Sequence, residues 1–94
     1  MLHLISQVNS AVLERIGDGD ELVFLENAVL RLLKTGANNH ALVQLLNTHH
    51  LYVLADDLAV RGIALETLVS GIQIIDYHEL VALTVQHSTI QSWS

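Results

Sequence analysis

The 94-residue chain contains no cysteine. A disulfide framework, a thiolate nucleophile and a cysteine-ligated metal are therefore excluded at every position. Proline is also absent, so no proline-kinked linker divides the chain, and residues 1–94 read as a single domain. Positive charge is scarce. Arg15, Arg31, Lys34 and Arg61 face ten acids, for a formal net charge of −6. Four scattered cations cannot form the dense basic stripe of a direct nucleic-acid binder. No apolar run nears the roughly 20 residues of a membrane-spanning helix. The first residues also lack the basic-then-apolar pattern of a signal segment. The expectation is a soluble, cytoplasmic protein with no membrane contact and no direct nucleic-acid contact.

What the chain has in excess is apolar side chains. They make up 51% of the residues, and the mean hydropathy is +0.43. A 10.4 kDa chain buries only roughly 64% of its extended surface on folding. So much Leu, Val and Ile cannot all lie inside, and the surplus points to a partner that covers apolar surface. The isolated chain is accordingly expected to self-associate.

The stretch Leu51–Gly62 (LYVLADDLAVRG) organises the rest. Leu51 to Ala55 has the length and type of a buried strand. It runs straight into the helix-start signal Asp56-Asp57 and then the helix-stop signal Arg61-Gly62. A strand feeding a helix with almost no loop is the unit of parallel α/β sheets. Leu2–Ile5, Glu21–Leu25 and Ile72–Ile75 read as further strands, and the tail to Trp93 as a possible edge strand. Helices are expected from Asn9 or Ser10 to about Ile16, from an Asn27 cap to Lys34 and Gly36, and from Asn38 to Leu46. Asp76 and Glu79 form a capping box for a last helix to Gln86 or His87, with Ile75 and Leu80 as its hydrophobic staple. Ile63–Ser70 is ambiguous. The alternation predicts a small parallel sheet of four to five strands, wound on both faces by helices.

Acids and amides recur after the strands: Glu26-Asn27, Asp56-Asp57 and Asp76. If they converge on the carboxyl edge of the sheet they could hold Mg²⁺ for an acid-rich enzyme or ligand-binding site. Alternatively each caps a helix, and Asp57 pairs with Arg61 four residues on. Gly17-Asp18-Gly19-Asp20 precedes a strand, so it is a turn rather than a phosphate cradle, and it lacks the ligands of a calcium loop. His3, His40, His49, His50, His78 and His87 show no i, i+4 pair on one clear helix, the spacing a zinc site favours. Ser6 and Ser10 lack a nucleophile elbow. No catalytic, cofactor-binding or metal residue is assigned. Trp93 either folds back on its own sheet or anchors a subunit contact.

Three segments, LVFLENAV (Leu22–Val29), LYVLADDLAVRG (Leu51–Gly62) and IIDYHELVALTVQH (Ile74–His87), keep their order across the chain together with Met1-Leu2-His3 and Trp93. In this the sequence resembles the TusB/DsrH family. The D-L-x-x-R-G element at Asp57–Gly62 and the I-D-Y element at Ile75–Tyr77 carry the resemblance most specifically when found together. The resemblance implies a DsrE/F/H-like, flavodoxin-like fold and membership of a heterohexamer with TusC-like and TusD-like sister subunits, two copies of each. Such a complex takes persulfide sulfur from a small carrier protein, toward 2-thiouridine at the tRNA wobble position. Relatives in sulfur oxidisers serve dissimilatory sulfur metabolism instead. The sulfur-carrying cysteine belongs to a sister subunit, and some DsrH-type members carry another near the position of Val12. Without any thiol this chain forms no persulfide, so the resemblance implies a non-catalytic structural or docking subunit.

Overall fold

The computed structural model describes residues 1–8, 10–35 and 40–93. Their strands are β1 (Leu2–Ile5), β2 (Glu21–Phe24), β3 (His50–Leu54), β4 (Gln73–Ile75) and β5 (Ile90–Trp93). All neighbours pair in parallel, in the order β4-β3-β2-β1-β5. The tail around Trp93 is thus a full edge strand, hydrogen-bonded along β1. The strands expected from hydropathy lie within one residue of their observed limits.

The order also sets the layers. From β1 to β4 the chain steps across the sheet in one direction, and right-handed crossovers then place every connection on one face. These connections are α1 (Ser10–Arg15), a 3-10 helix (Glu26–Leu32), α2 (His40–Leu45) and α3 (Ala55–Val60). The step from β4 back across to β5 runs the other way, so α4 (Tyr77–Gln86) lies on the opposite face. The core divides accordingly. Ile5, Leu22, Phe24, Leu51 and Val53 pack under Val12, Val29, Leu32, Leu42 and Leu58. Leu2, Val23, Tyr52 and Ile75 pack under Leu83 and Leu80. Strand residues alternate between the two cores because successive side chains point to opposite faces.

Local signals explain the helix ends. Asp76 accepts the Glu79 amide at 2.8 Å while the Glu79 carboxylate accepts the Asp76 amide at 3.2 Å, completing the capping box. Gly62, at φ 64, ends α3. The amides of Ile63 and Gly62 return to the carbonyls of Leu58 and Ala59, a Schellman stop that needs the left-handed glycine. The Gly17–Asp20 turn is closed by the Asp20 amide on the Gly17 carbonyl at 3.2 Å.

Two expected caps are corrected. The second helical stretch is a 3-10 helix preceded by Leu25, with no side-chain capping bond, so Asn27 caps nothing. Its far end is pulled into an antiparallel bridge between Leu33 and Leu68. The amides of Lys34 and Val69 there reach the carbonyls of Thr67 and Leu32 at 2.8 Å. The ambiguous stretch Ile63–Ser70 therefore holds a short 3-10 turn, Leu65–Thr67, and half of that bridge. Asp56 is not a cap either: α3 begins at Ala55, behind Leu54, and Asp56 is exposed within the first turn. Asn9, Gly36 and Asn38 lie outside the described residues.

Candidate functional site

Parallel strands deliver their following residues to one edge, so Glu26-Asn27, Asp56-Asp57 and Asp76 do reach the carboxyl side of β2, β3 and β4. They are not aimed at a common point. Asp57 Oδ2 accepts the Glu26 amide at 2.8 Å and holds that residue in a left-handed conformation, φ 52. Its other oxygen lies 3.6 Å from the Arg61 guanidinium, the expected i, i+4 pair. Arg61 also donates from Nε and Nη2 to Asn27 Oδ1, at 3.1 and 3.0 Å. Asp76 is occupied by its capping box. The result is a brace that locks the β2 and β3 exits together. Among the described residues no three His, Asp or Glu side chains stand close enough to share a metal ion.

The opposite edge carries two partly buried polar networks. In the first, Asp20 Oδ2 accepts the Gly17 amide and His3 Nε2, both at 2.9 Å, while Oδ1 accepts the amino terminus at 3.1 Å. His3 is fully buried, and its Nδ1 accepts the Trp93 indole N–H at 3.1 Å. With Nδ1 an acceptor, the proton resides on Nε2 and points at Asp20. Burial alone would push the Asp20 carboxyl up, but the three donors outweigh it and hold its pKa at about 2. Trp93 packs against the core cluster that includes Ile5 and Val12. The first of its two expected fates, folding back on its own sheet, is the observed one.

In the second network Glu21 accepts the Tyr52 hydroxyl at 2.7 Å and His87 Nε2 at 2.6 Å. Burial opposes the Glu21 charge, and these two donors override it, lowering its pKa. Tyr52 is pushed up to about 12, first by burial and then by the carboxylate beside it. His49 spans a third contact, with Nε2 2.9 Å from the Gly17 carbonyl and Nδ1 2.7 Å from Thr48 Oγ1. His3, His49 and His87 are thus structural partners. Sequence reasoning missed these networks. The available signal was parity: an acid opens β2 and a tyrosine sits on the same face of the neighbouring strand.

The described residues thus place one brace at the carboxyl edge of the sheet and two polar clamps at the other. A model of the family described as "DsrH like protein" matches residues 6–90. The chain belongs to the DsrH-like family. Among relatives of this DsrH-like chain, Protein TusB of Pectobacterium parmentieri is 35% identical, covering 99% of this chain and 100% of its own length. Protein TusB of Enterobacter sp. (strain 638) is 31% identical with the same coverage. Two solved structures share the fold at low identity. A protein of unknown function, MTH1491 from Methanobacterium thermoautotrophicum, has a TM-score of 0.77 at 13% identity, covering 98% of this chain and 96% of that one. The ychN protein of E. coli has a TM-score of 0.74 at 16% identity, covering 98% and 97%. No helix among the described residues of this DsrH-like chain is long and apolar enough to cross a membrane.

Proposed function

We propose that this chain is a non-catalytic docking subunit of a TusBCD-like sulfur-relay complex, acting as one domain in the cytoplasm. It assembles with TusC-like and TusD-like sister subunits, and through them meets the sulfur carrier proteins of the relay. The pathway served is 2-thiouridine formation at the tRNA wobble position. One observation carries the reading: a DsrH-like chain matched over residues 6–90 has no cysteine at all. Persulfide chemistry requires a thiolate, so the sulfur must travel on other subunits. The likeness to proteins named TusB supports the choice of pathway.

Deleting the gene and measuring tRNA 2-thiouridine by mass spectrometry tests the reading. Loss of the modification, restored by this chain, is expected; unchanged thiolation would sink it. The competing reading, a Mg²⁺-dependent enzyme using Asp56, Asp57 and Asp76, has no observation in its favour. Asp57 and Asp76 are each spent on a backbone amide, and no cation-binding cluster stands among the described residues.

A further inference from the structure

The helical layers are unequal. Among the described residues, α1, the 3-10 helix, α2 and α3 cover one face of the sheet, whereas α4 is the one helix on the other. On its outer side α4 sets Tyr77, Val81 and Val85 at i, i+4 and i+8, which are 56%, 59% and 80% exposed. This spacing makes a continuous apolar stripe on one side of the helix. Beside it, between α4 and the β3–β4 edge, runs a groove of about 260 Å³ with Ile75 and Leu83 in its floor and Gln73, Glu79 and Gln86 on its rim.

Charge identifies what fits there. Arg15 and Arg31 lie in helical segments of the crowded layer, and Lys34 and Arg61 stand within two residues after the ends of two of them. Residues 76–87, α4 with both its caps, contain no lysine or arginine, while Asp76 and Glu79 are exposed. A second copy docking through its own α4 face would bring Asp76 and Glu79 to this surface and no lysine or arginine to meet them. A chain with lysine or arginine around an apolar patch would pair both acids as it covered the stripe.

We infer that the α4 face, with its stripe, its exposed Asp76 and the groove rimmed by Glu79, is the docking surface for a different protein chain that presents apolar side chains ringed by lysine or arginine. The inference rests on the proposed role and takes the sister subunits as the occupants to test.

The full chain is co-expressed with its TusC-like and TusD-like neighbours, and assembly is read by sizing and by titration at low and high salt. Val81→Lys with Val85→Lys is expected to weaken assembly about tenfold or more, as for central interface anchors. Val60→Lys, on the crowded layer and 80% exposed, is expected to leave it unchanged. Glu79→Gln keeps a capping side chain but removes the charge, and is expected to weaken assembly at low salt and flatten its salt dependence. Circular dichroism melting confirms that each variant is folded. Wild-type assembly that survives the double substitution overturns the docking surface and leaves the proposed function standing. Equal weakening by Val60→Lys also overturns it. So does an isolated wild-type dimer that the double substitution dissolves, since the occupant is then a second copy. Failure of the wild-type chain to join the sister subunits removes both readings.

Discussion

Trp93 donates its indole N–H to Nδ1 of His3 at 3.1 Å, and the two rings stack with centroids 6.3 Å apart. The bond joins the last described residue of edge strand β5 to a histidine buried in β1. Trp93→Phe keeps much of the ring packing but leaves Nδ1 without its donor. A buried acceptor without a partner costs about 1–3 kcal/mol. Urea unfolding of Trp93→Phe is expected to show a loss of that size. A variant as stable as the wild type would mean that the bond does not hold β5.

Asp20 makes the same cluster sensitive to acid. Its folded-state pKa is about 2, below the ordinary 3.8, so the folded state favours the carboxylate. The stabilisation is fully present above about pH 4 and is lost as pH falls toward 2. Glu21, whose pKa is also lowered, adds a contribution of the same sign. Stability followed from pH 5 to 2 is expected to fall, and Asp20→Asn should flatten part of that slope. An identical slope in Asp20→Asn would remove Asp20 from the account.

Tyr52 gives the alkaline counterpart. Its pKa is raised to about 12, so its contribution is intact below about pH 10 and is lost as pH rises toward 12. Of the two tyrosines in the chain, one is expected to ionise near pH 12 in an ultraviolet titration of the folded protein. Tyr52→Phe should abolish that step. If the late step persists in Tyr52→Phe, the Glu21 hydrogen bond is not what holds the proton.

Features carried by neighbouring residues were legible in the sequence. β1 and the Asp76–Glu79 box rest on patterns a few residues long, and they lie where expected. Asn27 and Asp56 carried the same local cap signal and fail as caps. Arg61, 34 residues away, takes the Asn27 side chain. At β3 the helix is entered from Leu54, two residues before the expected cap, so Asp56 falls inside its first turn. The polar clamps were illegible for a related reason. His87 and Glu21 are 66 residues apart, and only the reversal that carries α4 to the opposite face brings them together. Strand order decides such contacts, and no local pattern states it.

The three acids once open to a Mg²⁺ reading separate by what each holds. Asp76→Ala removes a helix cap and is expected to cost about 1 kcal/mol. Asp57→Ala frees the Glu26 amide and the Arg61 partner, for a similar loss of about 1 kcal/mol. Asp56 is exposed and caps nothing, so Asp56→Ala should stay within about 0.5 kcal/mol. Mg²⁺ titrated against a sodium control of matched ionic strength is expected to leave the melting temperature unchanged. A ligand that binds only the folded state must raise it. Stabilisation by Mg²⁺ that vanishes in Asp57→Asn would therefore restore the metal-site reading. The same result would require Asp57 to release Glu26 from its left-handed conformation.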